Sequence, residues 1–436
     1  SREQAEGRSR RRARMKVGFD FGTTNSSIAR IAHNGEVELA RFSLAGALTE
    51  SFRSLLYLER LRTAGRTTIK SWAGPEGIER YLEAEDKGRL VQSLKSFLSS
   101  RSLQSTEIFG RRFQLEELVA NVIRDIRLAA EKQFGAHIRR AVVGRPVRFV
   151  GAENDADDDF ALSRLRIALE KAGFEEIEFE FEPVAAAFYY ESTLDHDEQI
   201  LIGDFGGGTS DFSLLRVGPG ARKISHASRV LGNEGLPLAG DAFDAKIIRH
   251  LVSPALGAGS FLDSHGKKLP VHNWVYFKLE RWHHLSFLRS RETLNMLQSV
   301  MTQAQDSAKI KALIYLVNHD LGFYLHRAVQ KTKVGLSRTE KERFVFEDGD
   351  VQLDAKVTRA QFESWIAEEL AGVAEKIDSL LKKTGVDARD VDMVFLTGGS
   401  SFVPAVRRIF ETRFGSSKIR TGDEFTSVAR GLALRA

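Results

Sequence analysis

No cysteine occurs among the 436 residues. That absence excludes a disulfide framework, a thiolate zinc site and a cysteine nucleophile, and it fits a reducing compartment. No apolar run approaches the ~18 residues that a membrane span requires, and no secretory h-region follows the basic start. A cytoplasmic protein without membrane attachment is therefore expected. With 42% hydrophobic and 28% charged residues, the composition is that of a globular chain. At about 150 residues per domain its length allows roughly two or three domains.

Net charge is also nearly absent, once the charges are located. The formal charge of +5 invites a nucleic-acid reading. Yet Arg2, Arg8, Arg10, Arg11, Arg12 and Arg14, against Glu3 and Glu6, place a net +4 in residues 1–14 and leave +1 for the remainder. Those residues read as a disordered, dispensable basic tail ahead of Met15, with an RNA or membrane-surface contact as the alternative and any nucleic-acid contact confined to them.

From Lys16 the pattern is strand, polar turn, strand: Val17-Gly18-Phe19-Asp20, a Gly-Thr-Thr-Asn turn, then Ser27–Ile31. Helices are expected over 116–133 and over 160–172, with a short buried strand at Ala141–Gly144 between them. Pro183, at a first-turn position, opens a helix over 184–191. After a polar stretch at 192–198 the opening pattern repeats. Ile202-Gly203-Asp204-Phe205-Gly206-Gly207-Gly208-Thr209-Ser210-Asp211 has the same apolar strand, Asp-Phe-Gly, hydroxyl-bearing turn and outgoing strand. Such a duplication predicts two related lobes, each presenting one turn. Residues 272–329 read as mostly helical and rich in aromatics, which suit a core or an interface. Residues 360–381 read as one amphipathic helix with Phe362, Ile366, Leu370, Val373, Ile377 and Leu381 in a stripe. A third glycine turn, Thr397-Gly398-Gly399-Ser400, leads into a helix through Pro404.

Three glycine turns with flanking aspartates suit a polyphosphate, which needs many backbone N–H donors packed closely. No Gly-x-x-x-x-Gly-Lys-Ser/Thr is present, so a P-loop is excluded. The first two turns join strand to strand, not strand to helix, which argues against a dinucleotide fingerprint. Thr23, Thr24 and Thr209 bring hydroxyls to the turn tips. Asp20, Asp204 and Asp211 are hard oxygen donors of the kind that hold Mg²⁺ through its waters. His272 and His283-His284 lack ligand spacing to acids and are set aside as a metal site.

These segments resemble the nucleotide-binding domain of the Hsp70 family, within the actin-like ATPases. Gly18–Ser26 is similar to its first phosphate motif, Asp204–Asp211 to its second, and Leu238–Asp244 to the segment that follows. Glu182-Pro183-Val184-Ala185-Ala186-Ala187 is similar to the connecting motif, and 397–404 to the adenosine motif. The resemblance runs from Met15 to Ala436. It implies a two-lobed α/β fold of duplicated RNase H-like lobes. Lobe I would span 15–196, completed by a C-terminal helix at 423–436, and lobe II 197–422 with a helical insert at about 251–328.

The same resemblance implies an ATPase that takes ATP and ADP with Mg²⁺. Leu94-Lys95-Ser96-Phe97-Leu98 resembles the catalytic-lysine segment, so Lys95 would place the attacking water and Glu182 a metal-bound water, alongside Asp204 and Thr209. Phosphate contacts would fall to Gly22, Thr23, Thr24, Asn25, Gly206, Gly207 and Gly208. Gly240, Lys333, Ser337, Gly398, Gly399, Ser400 and Phe402 would line the nucleoside. Pro146 and Glu182-Pro183 would relay nucleotide state. Val334 and Phe402 stand where the family has arginines, and Gln330 where it has a glutamate. Stacking by Phe402 would then lack a cation–π component. With no peptide-binding domain following, the implied activity is a chaperone-related nucleotide switch with slow hydrolysis, lobe closure and an unidentified protein partner or client. Two other readings stay open: a small-molecule kinase on the same scaffold, with Asp204 or Asp211 as base, and a nucleotide-binding module that does not hydrolyse.

Overall fold

Each Asp-Phe-Gly turn sits at the same place in the same five-strand arrangement. The computed structural model describes residues 15–436 except 45, 64–65, 85–87, 239, 265–266, 282–287, 289–290 and 422–427. The tail 1–14, Ala239, Trp282, His283-His284, Phe287 and the start of the expected C-terminal helix lie outside the described residues. The chain divides into two compact units. One comprises Ser1–Pro237, Lys376–Gly398 and Phe410–Ala436, and the other Leu238–Glu375 with Gly399–Ile409.

The first unit holds both sheets of the repeat. Strands β1 (Lys16–Asp20), β2 (Asn25–Ile31) and β3 (Val37–Leu39) run antiparallel, and β4 (Arg140–Arg145) and β5 (Glu176–Phe181) add in parallel beyond β1. The order is β3-β2-β1-β4-β5. Strands β6 (Glu198–Phe205), β7 (Ser210–Val217), β8 (Val230–Leu236), β9 (Met393–Thr397) and β10 (Ile419–Thr421) repeat it as β8-β7-β6-β9-β10 with the same directions. The duplication legible in the motifs is thus a duplication of topology. Parallel neighbours need crossover connections. Helices α1 (Leu115–Phe134) and α2 (Asp155–Lys171) lie in the connections β3–β4 and β4–β5.

Helix α3 (Glu182–Ser192) begins directly where β5 stops, with Pro183 in its first turn. Phe19, Phe21, Phe205 and Phe212 are all buried, so the phenylalanine of each Asp-Phe-Gly anchors its turn in the core. On the aspartate side of the first sheet lies α9 (Val428–Arg435). Its Ala429, Leu432 and Ala433 are fully buried, and it packs on β1, β2, β4 and α3.

The second unit is mostly helical: α4 (Gly240–Ile247), helices Trp274–Leu279, Arg291–Gln303 and Ser307–Asn318, and α5 (Gly322–Arg338). A hairpin of Phe261–Ser264 with Lys267–Pro270 lies between α4 and the helix Trp274–Leu279. Of the expected aromatic cluster, Tyr276 is buried and donates to the Leu256 carbonyl at 3.0 Å, whereas Trp274 and Phe277 are exposed. The helix expected over 360–381 is two helices, α6 (Arg359–Trp365) and α7 (Ala367–Thr384). They are parted at Ile366, whose φ of −96° and ψ of 12° leave the helical region. Neither proline nor glycine lies at the break, and the buried stripe continues through Phe362, Ile366, Val373 and Ile377. Pro404 opens α8 (Pro404–Phe414), as expected.

Candidate functional site

The strand ends of the first unit gather four carboxylates and one ammonium. Asp20 closes β1 opposite Ser27 on β2, and Asp204 stands at the equivalent place on β6 opposite Asp211 on β7. On its other side Asp204 registers with Thr397 on β9, whose hydroxyl donates to Asp204 Oδ1 at 2.7 Å. Thr209 donates to Asp211 Oδ2 at 3.3 Å. Lys95 lies in a short 3₁₀ turn, Leu94–Phe97, and its buried ammonium meets Glu182 Oε1, at the start of α3, at 2.6 Å.

Such crowding sets the protonation. Burial first, then the charge of Glu182, pushes the Asp20 carboxyl up to about 7, against a smaller pull from Lys95. Burial and then Asp204 push Asp211 to about 7 as well. Asp204 is also raised, by burial foremost, with the Thr397 hydrogen bond opposing it. Asp204 and Asp211 keep one side open to solvent while protein atoms crowd the others. For Lys95, burial alone would lower the pKa. Glu182, then Asp20 outweigh it, so the net shift is upward and the ammonium is secured.

Like charges directly opposite on paired strands are destabilising. Four carboxylates facing one ammonium therefore leave an excess of negative charge that a divalent cation would offset. The donors are hard oxygens, as Mg²⁺ prefers. Among the described residues no three acidic or histidine side chains converge closely enough to ligate a metal directly. These residues fit a cation held through its own waters.

The carboxylate shifts give a pH prediction. A carboxylate with a folded-state pKa above its unfolded value keeps its proton better in the folded state. Its contribution to stability is then greatest at low pH and is lost as pH rises from about 4 to about 7. In EDTA, Asp211→Asn should match the native protein in thermal unfolding below about pH 4 and melt increasingly higher than it as pH rises to 8. Equal melting temperatures at both ends of that range would contradict the crowded-carboxylate description.

The first two turns touch each other. A Cβ on Gly207 would fall 2.5 Å from Thr24 Oγ1, so only glycine allows this approach. The Gly22 N–H donates to Ser26 Oγ at 3.2 Å and the Gly206 N–H to the Thr209 carbonyl at 2.9 Å. These two amides therefore shape the turns. Ser26 shares a 2.8 Å hydrogen bond with Ser54, whose own N–H donates to the Thr24 carbonyl at 2.9 Å. The Asn25 carboxamide accepts from Arg53 at 3.4 Å. Gly398, at φ +82°, brings the third turn against β6, where a Cβ would lie 2.0 Å from the Phe205 carbonyl oxygen.

In the second unit, Lys333 of α5 pairs with Asp244 of α4 at 2.7 Å and donates to the Gly240 carbonyl at 3.2 Å. Ser337 donates to the Lys333 carbonyl one turn back. Ser400 is buried, whereas Gly399, Phe402 and Val334 are exposed.

Among the expected residues, Asp20, Lys95, Glu182, Asp204, Thr209 and Asp211 are joined by direct contacts or by mutual charge, and Thr24 meets Gly207. Thr23 and Gly208 stand at the turn tips. Sequence reasoning missed Thr397 as a partner of Asp204. Its signal was available: the third glycine turn follows a strand, and Thr397 is that strand's last residue. The Ser26–Ser54 brace left no sequence signal, because Ser54 belongs to no motif. Thr397→Val should remove the bond that holds the Asp204 carboxyl down. Asp204 would then titrate at a higher pH than in the native protein, measurable by carboxyl-carbon NMR, and an unchanged titration would refute that role.

The family model described as Hsp70 protein matches residues 83–268 and 300–436. The chain is 26% identical over 431 residues to the chaperone protein DnaK of Thermus thermophilus, across 96% of its own length and 60% of that protein's. Against the chaperone protein DnaK of Thermosipho melanesiensis it is 24% identical over 423 residues, with 96% and 58% covered. It thus spans about 60% of the length of these curated relatives. No helix among the described residues is long and apolar enough to cross a membrane.

Proposed function

The chain belongs to the Hsp70 family, and on that footing we propose that it binds MgATP and hydrolyses it slowly, the nucleotide state being read out as lobe closure by a chaperone-related partner. The observation that carries this reading is the Lys95–Glu182 pair, its ammonium buried, set among Asp20, Asp204 and Asp211 beside two touching glycine turns. Phosphoryl transfer to water needs little covalent chemistry from a protein; positioning and charge neutralisation supply most of the rate.

The N–H groups and hydroxyls of Thr23, Thr24, Asn25, Gly207, Gly208 and Thr209 are the donors toward phosphate oxygens. Gly22 and Gly206 keep the turns in shape. Lys95 carries the positive charge toward the equatorial oxygens and orients the attacking water, with Glu182 fixing its direction. Asp20, Asp204 and Asp211 would hold Mg²⁺ through water; when bound, the ion neutralises phosphate charge. For the nucleoside we keep the family assignment of Gly240, Lys333, Ser337, Gly398, Gly399, Ser400 and Phe402. The domain limits proposed are lobe I at 15–196 with 423–436, and lobe II at 197–422.

The deciding experiment is a nucleotide titration by calorimetry with turnover measured on the same sample. Binding with slow, Mg²⁺-dependent release of phosphate supports the proposal. Tight binding without turnover selects a non-hydrolysing module, and no binding refutes both. One observation favours a small-molecule kinase. Asp211, pushed to about 7, has the pKa of an effective general base near neutrality. That reading requires ATP consumption that depends on an added sugar or polyol.

A further inference from the structure

Helix α2 carries a charge on its buried face. Arg164 is only 3% exposed and follows Ala161 by one turn, beside Leu165 and Ala168, all fully buried. Its guanidinium spreads over five acceptors. Nη1 donates to the carbonyls of Phe97, Leu98 and Ser100 at 3.4, 3.3 and 3.1 Å, and Nη2 to that of Leu103 at 3.1 Å. Nε donates to Glu116, near the start of α1.

Every one of the four carbonyls belongs to the segment 97–103, which leaves the Lys95 turn. Phe97 is the last residue of that turn. Leu98 and Ser99 of this irregular segment are buried. Among the described residues its backbone has no regular partner strand or helix to satisfy its carbonyls, and here one side chain serves four of them. Only the planar, five-donor fork of arginine can serve so many acceptors at once. At the other end of the turn, Ser93 sits at φ 58°, a left-handed conformation that a non-glycine residue keeps only where its surroundings impose it. Ser99 adds a hydrogen bond to the Val150 carbonyl at 2.5 Å. The Lys95 turn is thus held in a strained entry and clamped at its exit, 87 residues in sequence from the glutamate it meets.

We infer that Arg164 is a positioning residue for Lys95: it fixes the segment 97–103 and through it the place of the ammonium against Glu182. This inference rests on the hydrolytic role proposed for Lys95. Among the described residues, the partners of Arg164 include no member of the glycine turns, so its loss should alter the chemical step and spare nucleotide affinity.

The test is a double-mutant cycle of Lys95→Ala and Arg164→Lys, read by single-turnover hydrolysis and by calorimetric MgATP affinity. Arg164→Lys keeps the charge but cannot reach all five acceptors. Because a displacement of about 1 Å in a catalytic group can cost ~10²-fold, its rate should fall about tenfold to a hundredfold with affinity within about twofold. Hydrogen exchange of residues 94–103 should accelerate in the same variant. The double variant should be no slower than Lys95→Ala alone, since Arg164 acts through Lys95. Arg166→Lys, on an exposed face of the same helix where the guanidinium donates to the Ile177 carbonyl, is the control and should match the native rate.

An unchanged rate in Arg164→Lys, losses that add in the double variant, or a parallel fall in affinity would overturn the inference. So would unfolding of Arg164→Lys without faster local exchange in any folded fraction. Native turnover in Lys95→Ala would instead remove the reading beneath it. The two failures are thereby distinct.

Discussion

Lys95→Ala is expected to lower ATP turnover by about a hundredfold or more, the cost of losing a preorganised donor to transition-state charge. Lys95 is the cation that bears on all three aspartates, acting against their raised pKa values in each case. Its removal therefore has two consequences. The charge directed at the phosphoryl oxygens disappears, and Asp20 and Asp211 become harder to ionise near neutral pH. The pH optimum of the residual activity should shift upward as a result. Lys95→Arg keeps a charge but replaces a compact ammonium by a planar fork, and should recover only part of the rate. Single-turnover rates across pH 6–9 provide the measurement. Native turnover in Lys95→Ala would exclude the proposed mechanism, and a residual activity with an unshifted pH profile would exclude the electrostatic coupling.

The second large effect is structural. Gly18, two residues before Asp20, faces the backbone of α9. A Cβ there would lie 2.2 Å from the Ala433 nitrogen, 2.5 Å from the Ala429 oxygen and 2.6 Å from the Leu432 carbonyl carbon. Backbone atoms cannot rotate aside as a flexible side chain can, so the helix must move off the sheet. Overpacking typically costs about 1–3 kcal/mol, and Gly18→Ala should reach or exceed the upper end. The melting temperature should fall by roughly 3–5 °C. Gly203, next to Asp204, is the contrast. Its nearest neighbours are the side-chain ends of Leu396 at 3.1 Å and Phe410 at 3.4 Å. Gly203→Ala should therefore cost about 1 kcal/mol. Differential scanning calorimetry on both variants decides the matter, and equal destabilisation would refute the backbone-contact explanation.

Much of the arrangement was legible because its signals are local. Strand, Asp-Phe-Gly and turn are contiguous, so both hairpins and their aspartates could be placed from residue order, and their repetition foretold the shared strand order. Pro183 and Pro404 marked helix starts through their missing N–H. Contacts made across long stretches of chain were not legible in that way. Nothing in the spacing of Lys95 and Glu182 links them; only the family resemblance did. Arg164 gave a weaker signal, a charge at a position where the helical period of α2 demands an apolar residue. The break at Ile366 gave none, since its apolar stripe continues through it. The family resemblance implies phosphate contacts for Gly22 and Gly206. Their amides turn out to be engaged inside the turns, a distinction that depends on hydrogen-bond direction and cannot be read from residue type.

The helix at Val428–Arg435 makes the first sheet a late product of the chain. Gly18 and Ala433 are more than 400 residues apart, yet their backbones touch. Contacts of such separation are slow to form, because a long loop must close before they return any free energy. During synthesis β1 and β2 emerge long before α9, and the face that α9 covers stays open for all of that interval. Folding of this sheet therefore has a built-in order of completion, in which the oldest strands wait for a far younger segment to seal them.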